Sequence, residues 1–245
     1  MNAHEDSENG VALHVVIPAH REHESIAGVL QALGAVRTPI RVTVVCDRAD
    51  DPTFKVVRAL APSLPYEVNG VKNAFGVGAL NAIKTGLNLS GNKEYSVVVM
   101  ADGCDEISLL DAMVERAADG FDVVCASRYM KGGRQVGGHP VKRVLARTAS
   151  LTLHHFVGIN THDVTNSYKV YSPRVLREIE VESIGGFEVG MELTVKAFQR
   201  GLRICELPTT WVDRTAGASR FRIARWVPHY ARWYWLGLRS PRSGR

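Results

Sequence analysis

The sequence predicts an α/β fold in which helices flank a doubly wound, mainly parallel sheet. Short apolar runs rich in β-branched residues alternate with helical patterns through the first half of the chain. The runs are continuously apolar, which is typical of strands that helices bury on both faces. With 245 residues, 45% of them hydrophobic and 22% charged, the chain can build one domain with a substantial core. A mainly disordered chain is excluded.

Five predicted strands come first, and a helical pattern follows each of the first four. The strands are expected at 13–19, 41–47, 66–71, 95–102 and 121–127. The helices are expected at 25–33, from about 52, from about 78 and at 108–118. After Ser127 the alternation ends, and a Gly-rich stretch leads into a predicted helix at 141–156. A strand at 164–171, a helix at 187–200 and an extended segment at 203–212 are expected beyond it.

Polar residues follow the strands of the first half, and those after four of the strands are candidate ligands. They are Pro18-Ala19-His20-Arg21-Glu22 after the first, Asp47, Asp50 and Asp51 after the second, Asp102 and Asp105 after the fourth, and Ser127-Arg128 after the fifth. Ligands of open α/β sheets bind at the carboxyl ends of the strands. Acids and an Arg at that edge suit a divalent cation with an attached phosphate group.

Eight segments resemble the motifs of one known family, and they occur in the family's order. They are VVIPAHRE, VVCDRADDPT, GVGALNAIKTG, VVVMADGCDE, SRYMKGGR, DVTNSYKVYSPRVL, GFEVGMELTVKAFQRGLRICELP and RTAGASRF. Together they resemble the family-2 inverting glycosyltransferases of the GT-A fold. The resemblance is greatest to the branch typified by dolichol-phosphate mannose and polyprenyl-phosphate glucose synthases.

The resemblance implies an enzyme that moves a hexose from a GDP- or UDP-sugar to an acceptor, with Mg²⁺ or Mn²⁺ as cofactor. The implied catalytic residues are Asp102, Arg128, Glu192 and Arg214. The implied donor-binding residues are Pro18, Ala19, Glu22, Asp47, Gly78 and Asp102. Asp102 and Asp105 are the implied metal ligands, and Lys142, Arg143, Asp163 and Arg220 the implied acceptor or phosphate ligands. Such a set would stabilise the charge of the leaving diphosphate.

The domain organisation expected on this basis has three parts. A flexible N-terminus at 1–10 precedes one GT-A domain at 11–221, and a basic aromatic tail follows at 222–245. Within the domain, 11–128 would bind the nucleotide sugar and 129–221 the acceptor.

Three departures from the family's pattern concern the site. Met100 stands at the first Asp of the DXD metal motif, so Asp105 would have to compensate. Arg21 stands where the family has Asn. Lys142 and Ala146 stand where the lipid-phosphate enzymes have Arg and Ser.

The acceptor decides whether a general base is needed. A polyprenyl phosphate, which the branch favours, is already an anion, whereas a sugar or small-molecule hydroxyl must lose a proton to a carboxylate. Glu192 is the first candidate for that carboxylate and Asp163 the second. A soluble transferase acting on a hydroxyl therefore stays open. A sugar nucleotidyltransferase or a donor-binding protein without activity is a weaker alternative.

The positive charge is concentrated at the end of the chain. The formal net charge is +5, but the segment from Arg214 to Arg245 holds eight Arg and no acidic residue, so the rest is net acidic. Three of the four Trp lie in the same segment, which Pro228 is expected to divide into two helical pieces. Such a composition suits an anionic membrane surface, and equally a helix packed on the core. Nucleic acid is not an expected partner, and the oligomeric state is open.

Four Cys without a CxxC pair indicate a reducing compartment. The polar, acidic first ten residues are unlike a signal peptide, and no apolar run is long enough to cross a bilayer. A cytoplasmic protein is expected, with peripheral contact to the inner face of the membrane left open.

Overall fold

The computed structural model of the protein describes residues 13–213 and 223–240, with side chains from residue 226 in the second range. The strands are β1 (Leu13–Ala19), β2 (Ile40–Cys46), β3 (Glu67–Lys72), β4 (Tyr95–Val98), β5 (Val123–Ser127), β6 (Arg134–Val136), β7 (Lys169–Tyr171), β8 (Ile204–Pro208) and β9 (Thr210–Val212). The α-helices are α1 (Ile26–Leu33), α2 (Thr53–Leu60), α3 (Ala79–Asn88), α4 (Leu110–Ala118), α5 (Pro140–Thr152), α6 (Pro173–Glu178), α7 (Val189–Gln199) and α8 (Ile223–Leu238). A π-helical turn, Leu153–Val157, continues α5.

The seven-stranded sheet has the order β3-β2-β1-β4-β7-β5-β8. All its neighbours pair parallel except β7, which lies antiparallel between β4 and β5. Every residue of β1 is buried. Val15 and Ile17 join one core with Leu30, and Val16 joins a second core with Ile83. The α/β prediction is therefore confirmed, with one core on each face of the sheet.

Two predicted strands are shorter than expected. The strand predicted at 95–102 ends at Val98, because the Met100 N–H donates to the Asp105 carboxylate and the chain turns there. The strand predicted at 164–171 is only Lys169–Tyr171. The Asn166 N–H donates to Asp163 Oδ1, so the residues before β7 form a turn. Side-chain hydrogen bonds to the backbone compete with strand pairing at both places.

The prediction that Pro228 divides the C-terminal segment is wrong. One helix, α8, runs through Pro228 and packs against α7, with Trp233 only 1% exposed. An interior proline costs a helix about 3 kcal/mol, and burial of an aromatic side chain as large as Trp233 offsets this cost. No helix within the described ranges is both long and apolar enough to cross a bilayer. Residues 1–10, Arg214 and Arg220 lie outside those ranges.

Candidate active site

The parallel strands β2, β1 and β4 bring their following loops to one edge of the sheet, as predicted. Asp47 comes directly after β2 and is 8% exposed. Its Oδ1 accepts hydrogen bonds from Asn73 Nδ2 at 2.9 Å and from the Gly78 backbone N–H at 3.0 Å. Gly78 has φ 123°, a backbone conformation that favours glycine, and α3 begins directly after it. Asp47 therefore fixes the start of α3 at the predicted donor site.

The loop after β1 is fixed by a second carboxylate of the loop after β2. Asp51 accepts a hydrogen bond from the Arg21 N–H at 3.0 Å and another from the Thr53 N–H at 2.9 Å. Burial alone would raise the pKa of Asp51, but hydrogen bonds from Thr53 and Arg21 hold it below its usual range. The Glu22 N–H donates to Thr53 Oγ1, which leaves the half-buried Glu22 beside the buried Pro18 and Ala19. The predicted donor residues of this loop thus lie together.

Among the described residues, Arg21 is the one non-glycine residue whose backbone is left-handed, with φ 57°. Replacing it with Asn, the family's residue at this position, is expected to raise the free energy of unfolding by about 0.5–1 kcal/mol, because Asn tolerates this conformation better. Chemical denaturation measures the change. Arg21→Ala is the matched control, since it removes the same charge without easing the backbone. Equal stability of both variants would contradict the explanation.

The loop after β4 carries the two predicted metal ligands. Asp102 is half-buried, and its Oδ1 accepts from the Cys104 N–H at 3.1 Å. The Asp105 carboxylate accepts from the Met100 N–H at 3.0 Å. Burial, reinforced by the charge of Asp102, raises the pKa of Asp105 to about 7. Asp105 therefore holds Met100 in place, and it lies close enough to Asp102 for their charges to interact.

This arrangement is compatible with a divalent cation that also binds a substrate phosphate. Within residues 13–213 and 223–240, no three His, Cys, Asp or Glu side chains form a group that could hold a metal ion. Mg²⁺ is usually held by one or two carboxylates, with substrate phosphates and water completing its ligands. Burial raises the pKa of Asp105, and a cation bound here would favour its ionised form, because an opposite charge stabilises a carboxylate. Asp102, supported by Asp105, meets the requirement for one or two carboxylates.

Arg128, at the end of β5, is fixed by Asp163. Its Nε donates to Asp163 Oδ2 at 2.7 Å, and its second guanidinium nitrogen donates to Oδ1 at 3.0 Å. The side chain of Arg128 is 10% exposed and that of Asp163 is 0% exposed. Burial alone would raise the pKa of Asp163, but Arg128 holds it below its usual range. Burial would lower the pKa of Arg128, but Asp163 raises it. The two predicted residues form one buried bidentate pair rather than two separate ligands.

Glu192 is 0% exposed, and both of its carboxylate oxygens are engaged. Oε1 accepts from the Glu182 N–H at 2.5 Å and from Lys196 Nζ at 2.7 Å, and Oε2 accepts from the Ser183 N–H at 2.9 Å. A carboxylate held in this way would have to give up these hydrogen bonds to reach an acceptor hydroxyl. The geometry therefore argues against Glu192 as a base and makes it an anchor between α7 and the segment before it.

The sequence prediction missed two groups near the end of the chain, the carboxylate of Glu188 and the hydroxyl of Tyr230. Glu188 is fully buried and accepts from the Gly185 and Gly186 N–H groups at 2.7 and 2.6 Å. Tyr230 of α8 is close enough to Glu188, Arg128 and Asp163 for their charges to influence its pKa, which burial raises. A Gly-Gly pair followed closely by Glu is a local signal for Glu188. No local signal places Tyr230, because α8 reaches the site only through tertiary packing.

The predicted acceptor residues Lys142 and Arg143 lie on the first turn of α5. Arg143 is exposed. Burial raises the pKa of Tyr129, which is about 12 even though the charges of Arg128, Arg147 and Arg143 oppose the rise. Tyr129 lies beside Arg128, with its ring 5.0 Å from the guanidinium. The described part of the site thus has acidic residues where the donor is predicted and cationic residues where the acceptor phosphate is predicted.

The mainly parallel sheet, its antiparallel β7 and the acidic loop after β4 agree with the GT-A fold that the motifs predict. The model of glycosyl transferase family 2 matches residues 14–180. The chain belongs to this family and is a glycosyltransferase, as the motifs predicted.

Two curated relatives cover most of the chain. A polyprenol monophosphomannose synthase of Mycolicibacterium smegmatis is 27% identical over 227 residues, covering 86% of this chain and 85% of the relative. An undecaprenyl-phosphate mannosyltransferase of Micrococcus luteus is 28% identical over 239 residues, covering 92% and 96%. Both belong by name to the branch that the motifs resemble.

Solved structures share the fold. The glucosyl-3-phosphoglycerate synthase of Mycobacterium tuberculosis, in complex with Mn²⁺, UDP and glucosyl-3-phosphoglycerate, has a TM-score of 0.67 and 20% identity, covering 96% of this chain and 82% of that one. TarS of S. aureus in complex with UDP-GlcNAc has a TM-score of 0.58 and 18% identity, covering 84% and 60%. These likenesses support the GT-A fold.

Proposed function

We propose that this glycosyltransferase moves a hexose from a nucleotide-diphosphate sugar to a polyprenyl phosphate, with inversion at the anomeric carbon. The names of both curated relatives support this acceptor and make mannose the first sugar to test. The nucleobase of the donor is guanine or uracil, and the assay below compares the two. A cytoplasmic location with peripheral contact to the membrane belongs to the same proposal.

One observation supports the choice of a phosphate acceptor: both candidate bases already form buried ion pairs. Glu192 and Asp163 are 0% exposed and paired with Lys196 and Arg128. A hydroxyl acceptor needs a base within hydrogen-bond reach. A phosphate oxygen is already an anion and needs none, so the buried pairs favour the lipid phosphate.

The transfer is then one displacement in which a phosphate oxygen of the acceptor bonds to the anomeric carbon. The bond from that carbon to the donor diphosphate breaks, and the nucleoside diphosphate leaves with the bonding electrons. Asp47, Glu22 and Gly78 would hold the nucleoside end of the donor. Asp102, supported by Asp105, would hold Mg²⁺ or Mn²⁺, which when bound neutralises charge on the leaving diphosphate.

On the acceptor side, Arg143 and Lys142 would attract the lipid phosphate, since cationic side chains bind phosphate oxygens. The Arg128–Asp163 pair would keep Tyr129 and the end of β5 in place. Arg214 and Arg220, outside the described residues, remain proposed phosphate ligands.

The test supplies purified protein with Mn²⁺, radiolabelled GDP-mannose, GDP-glucose, UDP-glucose or UDP-GlcNAc, and polyprenyl phosphate. The matched control acceptor is the same polyprenol without phosphate. We expect label to appear in prenyl phosphate sugar and none in the polyprenol. Without a base of pKa near neutrality, kcat/KM should vary less than about threefold between about pH 7 and 9. Transfer to a sugar or small-molecule hydroxyl, with none to polyprenyl phosphate, would refute the proposal.

A further inference from the structure

A cavity lies between α7 and α8, and none of the residues that line it takes part in the proposed transfer. Its volume is about 490 Å³, which is within the range of small-molecule sites. Lys196, Gln199 and Arg200 line the side that α7 contributes. Their spacing of three and four residues places them on one face of that helix. We call this cavity the α7–α8 groove.

The side that α8 contributes combines cations with an indole ring. Its lining residues include Arg232, Trp235, Leu236 and Arg239. Their spacing of three, four and seven residues places them on one face of α8. Trp235 is 58% exposed, whereas the neighbouring Trp233 is 1% exposed and belongs to the core beneath. An exposed indole between two guanidinium groups offers a flat apolar surface together with phosphate ligands.

The α7–α8 groove carries more positive charge than its one acidic lining residue balances. Glu182 accepts hydrogen bonds from Lys196 Nζ at 2.8 Å and from a terminal guanidinium nitrogen of Arg232 at 2.9 Å. Neither Arg200 nor Arg239 forms an ion pair with another residue in the described ranges. Both guanidinium groups are exposed, so they can pair directly with an anionic ligand.

The ion pair between Arg232 and Glu182 is open to exchange with such a ligand. The Arg232 side chain is 54% exposed and the Glu182 side chain 52%. An ion pair this exposed adds little to stability, because water screens both charges. A phosphate group can therefore replace the Glu182 carboxylate at Arg232 without a large cost to the fold.

A second cavity, of about 110 Å³, shares the lining residues Arg232 and Trp233 with the groove. Ser183 also lines it and is 4% exposed, yet its hydroxyl has no hydrogen-bond partner within the described ranges. Buried polar groups are ordinarily hydrogen-bonded. Glu188 lines this cavity too, but its oxygens accept from the two glycine N–H groups described above. The Ser183 hydroxyl is therefore available to a ligand that reaches past Arg232.

We propose that the α7–α8 groove binds a water-soluble phosphorylated aromatic compound of the nucleotide class. The aromatic ring would stack on Trp235, and the phosphate oxygens would accept hydrogen bonds from Arg232 and Arg239. Stacking on aromatic side chains and pairing with cations bind nucleotides without reading the base. The lining residues differ from those that the donor would contact, so this is a second site, and it does not depend on the proposed function.

The test measures binding to the full chain by isothermal titration calorimetry, with EDTA present so that no metal ion assists the donor site. The probes are ATP and ribose 5-triphosphate, which carries the same phosphates without a base. ATP is expected to bind at least about fivefold more tightly, because stacking of the base adds to the phosphate contacts. Trp235→Ala should remove that difference. Arg232→Gln with Arg239→Gln should weaken the binding of both probes at least about tenfold, because charge-assisted hydrogen bonds are lost.

Two further variants separate a lost ligand contact from a damaged fold. Arg174→Gln is the matched control, since Arg174 is 51% exposed and paired with Glu178 outside the groove, and it should bind ATP like wild type. Glu182→Gln should bind ATP about two- to fivefold more tightly, because it removes the carboxylate that competes for Arg232. A gain in affinity cannot arise from partial unfolding.

Three results would overturn this inference. The first is that wild type binds no ATP. The second is equal ATP binding by wild type and the double arginine variant, displaced by GDP or UDP, which would place ATP in the donor site. The third concerns a lipid headgroup, which offers the same phosphate chemistry. Vesicles containing phosphatidylglycerol that bind wild type but not the double variant, with no binding of ATP to either, would identify a lipid as the ligand. Sugar transfer is not part of this test, so its failure would leave the proposed function untouched.

Discussion

Asp102→Asn is expected to reduce sugar transfer about 10²- to 10³-fold, the effect typical of losing one group that stabilises leaving charge. The substitution keeps the size of the side chain and its acceptor for the Cys104 N–H, but removes the anionic ligand. It should also abolish the additional thermal stabilisation that Mn²⁺ gives in the presence of nucleoside diphosphate, because a ligand that binds only the folded state raises its stability.

Asp119→Asn is the matched control for that experiment. Asp119 is an exposed carboxylate, 3.7 Å from Arg116 on the surface after α4, and its replacement should leave both readouts unchanged. If Asp102→Asn transferred sugar at the wild-type rate, the assignment of Asp102 to the metal would be wrong. The thermal shift would show separately whether the cation still binds.

Asp163→Ala is expected to lower the free energy of unfolding by about 3–5 kcal/mol, because it leaves the Arg128 guanidinium buried without its partner. Denaturant titration measures the loss. The double variant Arg128→Met with Asp163→Leu should recover most of this stability, since apolar residues of similar volume often replace a buried pair without cost. A double variant no more stable than Asp163→Ala would contradict this account.

Acid should weaken the buried ion pair between Arg128 and Asp163. The pKa of Asp163 is lower in the folded than in the unfolded protein, so the stabilisation is fully present above the unfolded value. This stabilisation is lost as the pH falls through the pKa of Asp163 in the folded protein, which lies below the ordinary range for Asp. The double variant should therefore lose less stability than wild type on acidification from about pH 5 to pH 2. An equal loss in both proteins would assign the acid sensitivity to other carboxylates.

The first half of the fold could be predicted from the sequence because its signals are local. The strands β1, β2 and β3 lie within one residue of the predicted ranges and β5 within two, since continuous β-branched runs mark buried strands. The order of the sheet could not be predicted in the same way. Strand β7 has three residues, and its antiparallel place between β4 and β5 depends on distant partners.

The site, like the fold, could be predicted only where its signals are local. The positions of Asp47, Asp102 and Arg128 follow from where parallel strands end, so the sequence indicated them. The pairing of Arg128 with Asp163 joins residues 35 positions apart, and the burial of Glu192 depends on the segment before α7. A helical acid is ordinarily solvated, so no pattern in the sequence distinguishes a buried anchor from a general base.

The place of β7 also bears on how the chain is synthesised. Strands β4 and β5 do not pair with each other; each pairs with β7, which leaves the ribosome only after the whole of α5. A nascent chain that ends after Ser127 therefore exposes one open edge of β4 and both edges of β5. The sheet on both sides of Ser127 is consequently completed only when β7 has been made, and the gene should not tolerate division after Ser127.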